Sequence, residues 1–155
     1  MQIRDILGMK GGTIFSIDPD GRLADAVDLM VSNDIGSLVV MRDGEMRGML
    51  TFREVLGELK ARTGNLGDAR VGAVMNASPI TGTPADTVDE VRETMTENHV
   101  RYLPILDQGR LLGVISFHDI AKAVIKQTNL ENRLLKRYIK HWPEEQDEAQ
   151  GGEQR

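Results

Sequence analysis

Cysteine is absent from all 155 residues, so neither a disulfide nor a thiolate metal site is available to this chain. Aromatic side chains are scarce, at 4% of the sequence, which leaves no platform on which nucleic-acid bases could stack. No apolar run approaches the roughly 20 residues that a membrane-spanning helix needs, and Met1-Gln2-Ile3-Arg4-Asp5 does not open a signal peptide. A soluble, cytoplasmic protein without a membrane partner is the expectation. An excess of basic charge is also missing. The net charge is −5, and Pro143–Arg155 carries five acids against one base, leaving residues 1–142 near −1. Without a basic stripe to neutralise phosphates, no nucleic-acid partner is expected.

What the chain does have is a repeated heptad. Gly113-Val114-Ile115-Ser116-Phe117-His118-Asp119 reads as a strand that turns directly into a helix, because Ile120, Ala121, Val124 and Ile125 follow at helical spacing. Sixty-five residues earlier stands Gly48-Met49-Leu50-Thr51-Phe52-Arg53-Glu54. The register holds without a gap from Thr13–Val55 to Ser78–Ile120, with seven identities: Pro19/Pro84, Met30/Met95, Asn33/Asn98, Leu38/Leu103, Gly44/Gly109, Gly48/Gly113 and Phe52/Phe117. An internal duplication of this kind decides the architecture.

Each copy reads as helix, strand, helix, strand, strand, helix. Apolar residues at Ile3, Ile6 and Leu7, or at Val71, Val74 and Met75, give a short opening helix. An extended piece follows, Thr13–Ile17 or Pro79–Gly82, ending at a proline turn. Leu23, Ala26, Val27 and Met30, or Val88, Val91 and Met95, recur at helical spacing. Two strands then flank Asp43-Gly44 or Gln108-Gly109, and a helix closes each copy. A three-stranded unit of about sixty residues buries too little to stand alone. The two copies are therefore expected to pack around a pseudo-two-fold axis as an α/β fold, with repeats over residues 3–60 and 71–126. Leu130, Leu134, Leu135, Tyr138 and Ile139 share one face of a further helix over 127–142, which either folds back on its own module or meets a second copy. The acidic stretch 143–155 is expected to be disordered.

The strand-to-helix junction offers chemistry. Unpaired N–H groups at a helix start attract anions, and Ser116 and Asp119 could meet a polar ligand lying across it. Ser-x-x-Asp is also close to a capping box, in which both side chains serve only their own helix. The letters Ser116, His118 and Asp119 sit too close together on one turn for a hydrolytic relay. His99, His118 and His141 have no metal-ligand spacing, so no metal site is expected. Lys10-Gly11-Gly12 lacks the rest of a phosphate-binding loop. Nothing pairs a nucleophile with a base, and no enzyme activity is expected.

Two tandem copies ending in Gly-apolar-apolar-Ser/Thr-x-x-Asp/Glu, with Arg101-Tyr102-Leu103-Pro104-Ile105 before the second turn, resemble the cystathionine-β-synthase-type (CBS) domain pair, most nearly its stand-alone bacterial members. The resemblance covers residues 3–126. It implies a non-catalytic sensor of an adenosine-containing ligand such as AMP, ADP, ATP or NAD(H), acting as a homodimer and signalling to a protein partner in trans. Carried over by position, it implies Asp119 on the ribose hydroxyls, Ser116 and Arg101 on phosphate, and Ile80-Thr81 along the adenine, with His118 beside them. Lys10 and Arg53 could reach a phosphate across the pseudo-dyad or be ordinary surface charges. In the first copy Glu54 replaces the aspartate, and Gly36-Ser37 stands where the second has Arg101-Tyr102. The counterpart site of Thr51, Glu54, Phe15 and Ser16 is expected to be weak or empty. A ligand-free interaction scaffold is the alternative reading.

Overall fold

The structure is a computed structural model that describes residues 1–140. The acidic stretch 143–155, His141 and the last two residues of the helix expected over 127–142 lie outside the described residues. The elements run α1 (Ile3–Lys10), β1 (Ser16–Ile17), α2 (Leu23–Ser32), β2 (Ser37–Arg42), β3 (Glu45–Thr51), α3 (Phe52–Ala61), α4 (Val71–Val74), α5 (Val88–Glu97), β4 (Tyr102–Asp107), β5 (Arg110–Ser116) and α6 (Phe117–Lys140). The helix that closes the second repeat and the one expected beyond residue 127 are a single element. The chain divides into a first compact unit, Met1–Ile120, which holds the first repeat and the second as far as Ile120, and a second from Ala121 onward.

The duplication is visible in the backbone itself. Both hairpins turn through two residues of positive φ, Asp43 and Gly44 (54° and 74°) and Gln108 and Gly109 (50° and 78°), as the right-handed twist of paired strands requires. Both carry a register shift at the equivalent place, Val40/Met41 and Ile105/Leu106. Asn33 and Asn98 each donate their side-chain amide back to the carbonyl four residues earlier, at 2.8 Å, closing α2 and α5. The residues after them, Asp34 and His99, take the left-handed conformation with φ of 51° and 53°. His99 therefore ends a helix, a place where Asn, Asp and His are enriched.

The repeats differ at their first strand. β1 pairs parallel to β2, whereas the segment expected over Pro79–Gly82 makes only one parallel bridge, Gly82 to Ile105. Prolines at 79 and 84 remove donors from this segment, and Gly82 alone bonds β4 in both directions, to Pro104 and Leu106 at 2.9 Å each.

The opening helices exchange partners. α1 precedes the first repeat but bonds to the second: the N–H groups of Ile3 and Arg4 donate to Asp86 and Pro84, and Val88 donates back to Met1. α4 precedes the second repeat but bonds to the first in the same pattern, with Val71 and Gly72 donating to Gly21 and Pro19, and Leu23 to Ala69. Ile3 and Val71, both 0% exposed, are the apolar keys of this exchange. It also explains two of the repeated glycines. A Cβ on Gly48 would fall 2.4 Å from the Asn76 carbonyl oxygen at the end of α4, and one on Gly113 would fall 2.9 Å from Cδ2 of Leu7 in α1. The sheets meet where β3 lies beside β5. Leu23, Ala26, Met30, Leu38, Val40 and Leu50 of the first repeat form one buried cluster with Ala69 and Val71.

Candidate functional site

The partner exchange carries the end of α1 to the β5–α6 corner. There Lys10 Nζ donates to Asp119 Oδ2 at 2.7 Å and to the Val114 carbonyl at 2.8 Å, across 109 and 104 residues of sequence. Asp119 Oδ2 also accepts from the Ser116 N–H at 2.8 Å, and the Asp119 N–H donates to Ser116 Oγ at 3.1 Å. The corner is thus a reciprocal helix cap with an ion pair added to it. Burial pushes the Asp119 carboxyl up, but the hydrogen bonds from Lys10 and the Ser116 N–H outweigh it and hold the group below the usual carboxylate range. The side chain of Asp119 is 16% exposed and that of Lys10 42%, so the pair sits at the rim of the surface. Only Oδ2 is engaged; Oδ1 accepts no hydrogen bond within the described residues.

The corresponding corner of the first repeat is built differently. Glu54 Oε2 accepts from both the N–H and the hydroxyl of Thr51, and the Arg53 N–H donates to Thr51 Oγ1 at 3.2 Å. The extra methylene of glutamate lets one oxygen close on both Thr51 donors. Where Lys10 reaches the Val114 carbonyl, the equivalent Met49 exchanges both backbone hydrogen bonds with Asn76, each 2.9 Å, and Met75 lies alongside Gly48. No cation enters that corner among the described residues.

The remaining sequence candidates are spread around these two corners. Arg101 stacks its guanidinium over the Phe52 ring at 5.3 Å, and its carbonyl accepts from the Phe117 N–H at 2.8 Å. Tyr102 meets Phe52 edge-on at 6.3 Å and needs Gly36 opposite it, since a Cβ there would lie 2.0 Å from the phenol oxygen. Burial raises the Tyr102 phenol above its ordinary value, opposed by the nearby Arg101 charge. Ile80 and Thr81 are exposed beside the Gly82 bridge, as are Phe15 and Ser16, whose segment joins β2 through the Phe15 carbonyl. His118 and Arg53 are exposed, each two residues after the hydroxyl residue of its cap. Lys10, Ser116 and Asp119 are brought together; no hydrogen bond or ion pair joins Arg101, His118 or Thr81 to them among the described residues. Val114, Met75 and Asn76 were not legible as site residues, because a backbone carbonyl leaves no mark in sequence and the opening helices match at an offset of 68 residues (Ile3 to Val71) rather than 65. Among the described residues no cluster of His, Asp and Glu could hold a metal ion, and no helix is long and apolar enough to cross a membrane.

This duplicated, partner-exchanged fold is that of a tandem CBS-domain pair, and the chain belongs to the CBS-domain family: residues 3–61 and 71–126 each match the CBS domain. It is 29% identical over 108 residues to the CBS domain-containing protein YhcV of Bacillus subtilis, covering 70% of this chain and 76% of that one. The solved structure of a protein with CBS domains from Burkholderia ambifaria superposes with a TM-score of 0.77 at 31% identity, covering 81% of this chain and 95% of the other. Two more distant structures share the fold. CBSX2 in complex with AMP has a TM-score of 0.68 at 20% identity over 82% of this chain and 98% of that one. The CBS pair of MJ0100, in complex with 5′-methylthioadenosine and S-adenosyl-L-methionine, has a TM-score of 0.71 at 19% identity with the same coverage.

Proposed function

We propose that this protein is a non-catalytic regulatory module that binds one adenosine-containing ligand at the β5–α6 corner, works as a homodimer and signals to a protein partner in trans. Proteins of the same fold bind AMP in one case and S-adenosylmethionine and methylthioadenosine in another, which supports an adenosyl ligand here. The observation that carries the reading is the contrast between the two corners. The first repeat's corner is closed by a backbone bridge, Met49 to Asn76, that only unfolding would open. The second repeat's corner is closed by a lysine side chain, which can swing away at little cost. In this reading the ribose hydroxyls donate to Asp119, and Lys10, released from the carboxylate, turns to a phosphate lying over the Ser116 helix start. Ile80 and Thr81 line the adenine. Two hydrogen bonds to a charged carboxylate, roughly 1.5–3 kcal/mol each, make Asp119 the dominant contact.

Titration calorimetry with AMP, ADP, ATP, NAD+, NADH and S-adenosylmethionine tests this, with thermal shifts alongside. At a hundred times its dissociation constant the ligand should add about 2.7 kcal/mol of stability, and the stoichiometry should be one per chain. Two equal sites per chain, or no binding of any of the six, would overturn the proposal. One observation favours the alternative of a ligand-free scaffold, namely the reciprocal cap already formed by Ser116 and Asp119. In that case Asp119→Ala costs only the cap, about 1 kcal/mol, and the six ligands bind neither form.

A further inference from the structure

Between α2 and α3 the first repeat holds an open hollow of about 620 Å³, within the usual size range of small-molecule sites. α2 supplies Val27, Met30 and Val31 to its walls, α3 supplies Val55 and Leu56, and Tyr102 joins them from the second repeat. Val31 and Leu56 are 76% and 58% exposed, so the hollow meets water through apolar side chains. The duplication supplies an internal control. Sixty-five residues on, Arg92 stands for Val27, Thr96 for Val31 and His99 for Asp34, yet α5 forms a ten-residue helix as α2 does. The apolar wall is therefore not a requirement of the fold. Gly36, the residue that admits the Tyr102 phenol, is matched by Arg101. Apolar side chains kept at exposed positions that the sister repeat fills with polar ones mark a surface that meets something apolar.

We infer that this hollow binds a small molecule with an apolar body and a protonated amine at one end. Shape and charge choose the occupant. A second copy related by a two-fold axis through this face would set hollow against hollow and fill neither. The lining contains one charged side chain, that of Asp34, which sits on a left-handed backbone with φ of 51° and makes no side-chain hydrogen bond or ion pair among the described residues. The Tyr102 hydroxyl likewise has no hydrogen-bond partner among them. Both oxygens can accept from an ammonium N–H. Phe52 and Tyr102 add aromatic rings, whose faces attract cations. Arg101, although stacked on Phe52, is not part of the lining, so no base of the chain stands in the hollow. An anionic molecule of the same shape would meet the Asp34 carboxylate unscreened by any such base. The inference does not depend on ligand binding at the β5–α6 corner, from which the lining residues are distinct.

Tryptamine and indole-3-propionate, which share a ring and a two-carbon arm and differ in the sign of the terminal charge, test this on the full chain by methyl-detected NMR. Tryptamine should shift the methyls of Val27, Val31, Val55 and Leu56 and bind about fivefold more tightly than the propionate, as one exposed ion pair allows. Asp34→Asn, which keeps a residue that tolerates the left-handed backbone, should bring the two affinities together. Val27→Arg with Val31→Thr, the residues α5 itself carries at these positions, should abolish binding of both probes without moving the urea midpoint by more than the usual surface substitution. Binding of neither probe, equal affinities in the natural sequence, a preference that survives Asp34→Asn, or shifts centred on the β5–α6 corner would each overturn the assignment. Groove methyls that shift with protein concentration before any probe is added would give the face to a second copy and overturn it as well.

Discussion

At the scale of single residues, Lys10 and Asp119 hold the most chemistry. Lys10 is the last residue of α1 and precedes Gly11 and Gly12, where a Cβ would touch nothing, so its side chain is anchored only by the two acceptors it reaches. The pair is partly open to water, and screening limits its worth to about 1 kcal/mol or less. Because the folded carboxyl titrates below its unfolded value of about 3.9, this stabilisation is complete at neutral pH and is lost as the pH falls through the lowered folded value. Lys10→Met should move the Asp119 midpoint upward in a carboxyl-detected NMR titration; an unchanged midpoint would mean the ion pair does not form in solution. The same variant should weaken AMP about tenfold and leave adenosine, which has no phosphate for the ammonium to meet, unchanged or slightly tighter by calorimetry. Equal losses for both ligands would show that Lys10 acts on the sugar or on folding and not on the phosphate.

At the scale of elements, the glycines before each corner separate what was legible from what was not. The repeated Gly48 and Gly113, the Asp-Gly and Gln-Gly hairpins and the apolar periods of α2 and α5 all follow from local chemistry, and the two-copy fold could be read from them. The reason for the two glycines could not, because each faces an element from the other repeat. Their substitution should be unequal. At Gly48 an added Cβ meets a backbone carbonyl at 2.4 Å that is itself held by β3, and no rotamer relieves it. At Gly113 it meets only the end of the Leu7 side chain at 2.9 Å, which can turn aside. Gly48→Ala is therefore expected to cost about 2–3 kcal/mol, as an overpacked core does, and Gly113→Ala about 1 kcal/mol or less, measured by urea unfolding. Equal costs would mean that the Asn76 bridge yields as readily as a leucine. Of the candidate site, Ser116 and Asp119 can be read from the duplicated motif, and Lys10 reads either as a phosphate contact across the pseudo-dyad or as a surface charge. Its contact with Asp119 spans 109 residues and depends on the exchange of α1, a tertiary event without a local signal. Arg101 shows the converse: the resemblance to the CBS pair puts it on phosphate, and in the structure it rests on an aromatic face supplied by the other repeat.

At the scale of the whole molecule, the exchange of α1 and α4 makes the two repeats of the first unit interdependent. Each repeat alone would expose the face that the other's opening helix covers: Ile3 and Ile6, 0% and 5% exposed, on the second, and Val71 and Ala69, 0% and 4%, on the first. Each would also lose three backbone hydrogen bonds across the Pro19–Leu23 or Pro84–Val88 turn. Burying an aliphatic side chain of this size is worth about 1.5–3 kcal/mol, a large part of the 5–15 kcal/mol by which a domain is usually stable, so neither repeat retains a stable fold without the other. Residues 1–120 should consequently unfold in one transition, with calorimetric and van't Hoff enthalpies equal. Amides of β2 and β4, which lie in different repeats, should reach the same limiting free energy of hydrogen exchange. A ligand held at the β5–α6 corner should raise the protection of both strands by the same amount, because whatever it adds to one repeat must be overcome to open the other. Separate transitions, or protection gained in β4 alone, would mean that the exchanged helices detach before either repeat opens, and that occupancy of the second repeat cannot be sensed through the first.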